Sequence, residues 1–124
     1  MRPLIALVED NPDNRLLVVA LLEDEYEIRE YETGPEALEG IPLDPPHLIL
    51  LDISLPGMDG PEVLARLRTN PELVQIPAIA LTAHAMAGDR ERFLGMGFDD
   101  YLTKPIMEPD VLMEAIEALL DRTP

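Results

Sequence analysis

The chain has 124 residues, with 25 acidic and 9 basic side chains, a net charge of -16 and no cysteine. That length holds one domain with a real core, while the charge argues against binding nucleic acid or anionic lipid through a basic face, and the missing thiols exclude disulfides, thiolate metal sites and cysteine nucleophiles. The longest apolar runs, Leu16 to Leu22 and Leu48 to Leu51, are too short to span a bilayer, and no export leader precedes the first strand, so a cytoplasmic protein is expected.

Pro3 to Glu9 reads as a strand, Leu4-Ile5-Ala6-Leu7-Val8 running into the acids Glu9 and Asp10. Asn11-Pro12 supplies an N-cap and a proline at the first helical position. Leu16, Leu17, Val19, Ala20 and Leu22 follow at helical spacing, which predicts a helix to about Asp24. Tyr26 to Glu32 alternates apolar and charged residues, the pattern of a strand with one wet face at or near a sheet edge. Thr33-Gly34-Pro35-Glu36 matches a capping box for a short second helix, closed by Pro42.

Leu48-Ile49-Leu50-Leu51-Asp52 is the stretch the rest is organised around. Its four aliphatic residues lie between Pro45-Pro46 and the turn at Pro56-Gly57, which suits a strand buried on both faces at the middle of a parallel sheet. Asp59 caps a third helix with Val63, Leu64 and Leu67 inward, ended by Asn70-Pro71. Ala78 to Thr82 is another apolar strand, and His84 to Met96 reads as a fourth helix with Phe93 and Leu94 facing the core. Asp99 to Pro105 forms a short last strand carrying Lys104. Val111, Leu112, Ala115, Ile116, Leu119 and Leu120 mark a fifth helix whose start is poorly capped. Five strands alternating with five helices predict an α/β fold, a five-stranded parallel sheet doubly wound with right-handed crossovers, formed by residues 1–124 as one domain.

In such a fold ligands gather outside the carboxyl ends of the strands, where this chain delivers Glu9 and Asp10, Asp52, Thr82 and Lys104, its one lysine. Each has a plainer reading: a helix-capping pair, a turn Asp, a β-branched strand residue and a solvated cation. Their convergence at one edge favours a shared site. Carboxylates about 4 Å apart repel by roughly 4 kcal/mol per pair at an effective dielectric of 20, so a cation is required, and Mg2+ with oxygen ligands fits, assisted by Lys104. A carboxylate beside a metal, a hydroxyl and an ammonium is equipped to attack a phosphoryl group.

Val8-Glu9-Asp10-Asn11, Leu51-Asp52-Ile53-Ser54-Leu55-Pro56-Gly57-Met58-Asp59-Gly60, Leu81-Thr82-Ala83 and Tyr101-Leu102-Thr103-Lys104-Pro105 together resemble the receiver domains of two-component response regulators, of which the bacterial chemotaxis regulator is the familiar single-domain example. The resemblance covers essentially the whole chain and implies the flavodoxin-like receiver fold. It implies that Asp52 accepts a phosphoryl group from a sensor histidine kinase or a histidine phosphotransfer protein. Mg2+ would be held by Asp10, Asp52 and the backbone carbonyl of Ser54, with Glu9 acting through water.

By the same resemblance Thr82 and Tyr101 form the switch, Lys104 bonds the phosphoaspartate, and the Lys104-Pro105 bond is often cis. Ser54 and His84 occupy places that influence hydrolysis of the phosphoryl group, and Glu9 replaces the commoner Asp. His47 reads as structural. With no output domain after the fifth helix, the signal is expected to leave through an unidentified output protein at the face of the fourth helix, fifth strand and fifth helix, also a candidate for homodimer contact. The domain would act as shuttle, relay intermediate or phosphate sink, a switch more than an enzyme. Two other classes are weighed. An aspartyl phosphatase would want a second Asp two residues after Asp52, where Ser54 stands, and a flavodoxin-like cofactor binder would want a phosphate loop where Glu9-Asp10 stands.

Overall fold

Alternate residues of each strand point to opposite faces of a sheet, and in this chain both sets are apolar. In the computed structural model, which describes residues 2–83, 86–106 and 108–122, these runs form β1 (Leu4–Val8), β3 (Leu48–Asp52) and β4 (Ala78–Thr82), each buried along its whole length. With β2 (Glu27–Tyr31) and β5 (Asp100–Thr103) they make one parallel sheet in the order β2-β1-β3-β4-β5. The predicted central strand is in the centre, and the half-wet β2 is at an edge.

Each face of the sheet carries its own core. Ile5, Leu7, Leu48, Leu50, Ile79 and Leu81 pack against α1 (Pro12–Leu22) and α5 (Pro109–Arg122) through Val18, Leu22, Leu112, Ile116 and Leu119. Ala6, Val8, Ile49, Leu51, Ala78 and Ala80 face α2 (Gly34–Gly40), α3 (Gly60–Leu67) and α4 (Asp89–Gly95). The alanines on that face leave room for the rings of Tyr31, Phe93 and Phe98.

The caps form as the side chains dictate. Asn11 Oδ1 accepts from the N–H groups of Asp13 and Asn14, Thr33 Oγ1 from Glu36 N at 3.2 Å, and Asp59 Oδ1 from Glu62 N at 3.0 Å. Glu36 reaches back one residue beyond the usual capping box, to the N–H of Glu32. His47 is structural: its Nδ1 accepts from Leu4 N at 2.9 Å, tying the starts of β1 and β3.

Several expectations need correction. The fourth helix does not span His84 to Met96; α4 has seven residues and begins after Gly88, whose φ of 85° is left-handed and breaks any earlier helical run. His84 lies outside the described residues. The third helix stops at Leu67, short of Asn70-Pro71, where the Arg68 side chain turns to the carbonyls of Leu73 and Ile76. Leu94, expected to face the core, is exposed, as are Leu16 and Val111 of the helical stripes, because each sits on the outer flank of a helix whose other positions meet the sheet.

Candidate functional site

β1 and β3 are neighbours whose following helices leave for opposite faces, so a crevice opens above their carboxyl ends, the topological switch point of the sheet. The register decides what stands there. Val8 pairs with Leu51, Asp52 with Leu81 and Thr82 with Thr103, so Glu9, Asp52, Thr82 and Lys104 come side by side on successive strands. The ladder continues past the strand ends: Glu9 N donates to Tyr31 O and Lys104 N donates to Thr82 O at 2.7 Å. Lys104 is thus anchored by its own backbone directly beside Thr82, ahead of a cis bond to Pro105.

Three of the side chains meet: Glu9, Asp52 and Lys104. Lys104 Nζ lies 3.0 Å from Glu9 Oε1 and 3.0 Å from Asp52 Oδ2. The second oxygen of Glu9 accepts from Asn11 N at 3.1 Å, and Asp52 Oδ1 accepts from Ser54 N at 3.0 Å. Glu9 and Asp52 are buried, Thr82 is buried, and Asp10 is exposed at the mouth. The Ser54 N–H turns the chain back over Asp52, leaving the Ser54 side chain exposed.

Burial pushes the Glu9 carboxyl up to about 7, with Asp52 adding to the rise, while the Asn11 N–H and Lys104 pull the other way. Lys104 loses some basicity to burial, yet its bonds to Asp52 and Glu9 outweigh that and hold its pKa above the ordinary value. One ammonium cannot balance three carboxylates. Oxygen atoms of Glu9, Asp10 and Asp52 lie within 4.8 Å of one another. Neighbouring ligands in an octahedral shell at 2.0–2.1 Å stand about 3 Å apart, so small side-chain movements close this set on a hard cation. The oxygen-only donor set suits Mg2+ chemistry.

Two contributors escaped the sequence reading. Arg15 Nη1 donates to the carbonyls of both Glu9 and Asp10. A basic residue in the first turn of a helix opposes the helix dipole, and that was the available signal. Gly60 opens α3 against the back of Asp52, where no β-carbon fits. Tyr101 is half-buried, its ring 5.4 Å from that of Phe93, and it lines a groove of about 400 Å3 with Leu102, Thr103, Pro105, Ile106, Glu108 and Val111.

The model of the response regulator receiver domain matches residues 5–117. The chain belongs to that family. Receiver domains are signalling switches of two-component systems. Among relatives, the polar-differentiation response regulator DivK of Brucella ovis is 42% identical over 117 residues, covering 94% of each chain. The histidine kinase BarA of Escherichia coli is 46% identical over 105 residues, 84% of this chain but 11% of the kinase, so the chain spans about a tenth of that relative.

A receiver domain of a sensor histidine kinase from Pseudomonas aeruginosa, solved with a magnesium ion coordinated in its active-site cleft, superposes with a TM-score of 0.88 at 33% identity over 98% of this chain and 99% of that one. A chemotaxis protein of Vibrio cholerae at 23% identity and TM-score 0.88, covering 96% of this chain and 99% of that one, shares the fold. Among the described residues no helix is long and apolar enough to cross a membrane.

Proposed function

We propose that this receiver is a phosphoacceptor in which Asp52 takes a phosphoryl group from a phosphohistidine of a sensor histidine kinase or histidine phosphotransfer protein. The observation that carries the reading is the shared ammonium: Lys104 Nζ stands 3.0 Å from both Glu9 and Asp52 at the open end of the sheet. Glu9, Asp10 and Asp52, with the Ser54 backbone carbonyl, would hold Mg2+. When bound, that ion neutralises the carboxylates and the phosphoryl oxygens, where the transition state carries its charge.

The chain's own residues do the rest. Ser54 N and Lys104 Nζ fix the Asp52 carboxylate from two sides, so the nucleophile is oriented before the donor arrives. An Asp52 oxygen forms a bond to phosphorus as the P–N bond breaks, and the electron pair returns to the donor imidazole. Lys104 and the Thr82 hydroxyl receive the new oxygens, and with about -1.5 to -2 charges added, Thr82 and Tyr101 reset the face of α4, β5 and α5 for an output protein or a second copy of the chain. Ser54, two residues past Asp52, and His84 are proposed to set how fast the group is hydrolysed. A cytoplasmic setting belongs to the same reading, and the domain serves as shuttle, relay intermediate or sink according to whether a second histidine protein accepts the group.

Intact-mass measurement after adding acetyl phosphate and Mg2+ tests the assignment. One phosphoryl adduct on the parent and none on Asp52→Asn supports it; adducts on both place the acceptor elsewhere.

A further inference from the structure

Asp10 stands just past β1 on the turn into α1, with its carboxylate exposed. Among the described residues that carboxylate has no hydrogen-bond or ion-pair partner, so nothing at the side-chain tip sets its direction. The Cα–Cβ bond from which a side chain departs, and with it the set of rotamers open to the side chain, is set by the two planar peptide groups that flank its Cα. For Asp10 these planes carry the carbonyls of Glu9 and Asp10 itself, and both accept from one nitrogen, Arg15 Nη1, at 2.9 and 3.2 Å.

The guanidinium has a single seat. On its far side Nε lies 3.5 Å from Glu30 Oε1 and Nη2 lies 3.3 Å from Glu32 Oε1, and the Arg15 side chain is only 13% exposed. Its own N–H donates to Asn11 O at 3.0 Å, so the first turn of α1 and the edge strand jointly frame it. Glu30 and Glu32 offset its charge locally, which makes its effect on the acidic pair directional more than electrostatic. A planar fork that donates to two carbonyls and to the Glu32 carboxylate, while pairing its charge with Glu30, is a task for arginine.

We propose that Arg15 is a positioning residue that presets the Asp10 carboxylate for a divalent cation, an inference that rests on the phosphoacceptor reading above. The test is calorimetric Mg2+ titration of the full chain and of Arg15→Met, Arg15→Lys and Glu32→Gln. Thermal unfolding in EDTA and phosphoryl uptake from acetyl phosphate across Mg2+ concentrations accompany it. Groups that orient metal ligands typically change affinity 10- to 100-fold when removed, and Arg15→Met is expected to weaken Mg2+ binding by about that factor. Uptake then falls at low Mg2+ and recovers at saturating Mg2+. Arg15→Lys, which keeps the charge and loses the fork, regains part of the affinity, and Glu32→Gln shows a smaller loss in the same direction.

If Arg15→Met does not fold, the other two variants carry the test. Mg2+ affinity equal to the parent's in the folded variants, with only the unfolding midpoint lowered, makes Arg15 a structural tie and overturns the proposal. A parent that neither binds Mg2+ nor takes up a phosphoryl group overturns the phosphoacceptor reading itself, and the Arg15 proposal with it.

Discussion

Gly60 begins α3 so close beneath Asp52 that a β-carbon at Gly60 would overlap the Asp52 carbonyl oxygen and crowd the Ile53 Cα. Backbone atoms cannot swing aside as a side-chain tip does, so Gly60→Ala must displace either the end of β3 or the helix. The expected cost is about 1–3 kcal/mol in urea unfolding, accompanied by slower phosphoryl uptake. Gly57→Ala is the comparison: Gly57 has a φ of 81° and open space around it, so the cost there is backbone strain of about 1–2 kcal/mol. The loss of uptake per unit of lost stability should be larger for Gly60→Ala. Equal ratios would mean that the close approach does not position Asp52.

Lys104 is shared equally between Glu9 and Asp52. Lys104→Met leaves the two carboxylates facing each other, so the folded apo protein should lose about 1–3 kcal/mol near neutral pH. Mg2+ should bind more tightly, because the ammonium no longer competes for the same oxygens. Phosphoryl uptake should nevertheless fall at least about tenfold, since charge developing on the phosphoryl oxygens loses a fixed donor. Calorimetry and a mass-spectrometric time course separate the two effects, and unchanged uptake would remove Lys104 from the chemistry.

The raised Glu9 pKa makes a signed prediction for the metal-free protein. The unfolded carboxyl titrates near 4.5 and the folded one near 7, so between those values the folded state holds more proton than the unfolded state. Stability in EDTA is therefore expected to be fullest below pH 4.5 for this group and to decline as pH rises through 7, by on the order of 3 kcal/mol. Glu9→Gln should flatten that decline. Mg2+ should do so as well by favouring the ionised form. Denaturant melts at half-unit pH steps, with and without Mg2+, measure this.

Arg68 holds the opposite end of the sheet. Its Nη1 donates to Leu73 O and Ile76 O, Nη2 lies 3.8 Å from Asp99, and Asp99 accepts from the Ala78 N–H. Arg68→Ala strips donors from two carbonyls on the link between α3 and β4 and is expected to cost about 2–3 kcal/mol. Phosphoryl uptake by the folded variant should match the parent's. A loss of uptake at equal folded fraction would mean that the two ends of the sheet are coupled.

The sheet and its acidic end were legible because strand identity depends on apolar runs, and carboxylates at strand ends are brought together by topology alone. Leu48 to Asp52 is an example: four aliphatic residues between prolines and a turn, closed by an acid, suit a doubly covered parallel strand. Helix ends were less legible. α4 loses its expected first turn to Gly88, a residue that permits helix and breaks equally well until its φ is known. Leu16 and Val111 fit a helical stripe by spacing, yet which flank of a stripe meets the sheet depends on how the helix is rotated against it. Arg15 and Gly60 were missed for a related reason. One acts on carbonyls and the other by having no side chain, and neither leaves a pattern in composition.

Of the residues in α4, only Asp89 and Phe93 are buried, and Phe93 is the one apolar side chain among them. That ring makes an edge-on contact with Phe98 and a tilted one with Tyr101, so one aromatic peg is the apolar anchor of the helix, beside the Arg90–Asp100 ion pair to β5 at 3.5 Å. Turning about that peg would sweep Leu94 across the surface at the cost of the pivot contact and one half-exposed ion pair, while α1 and α5, bolted down at several points, would stay where they are.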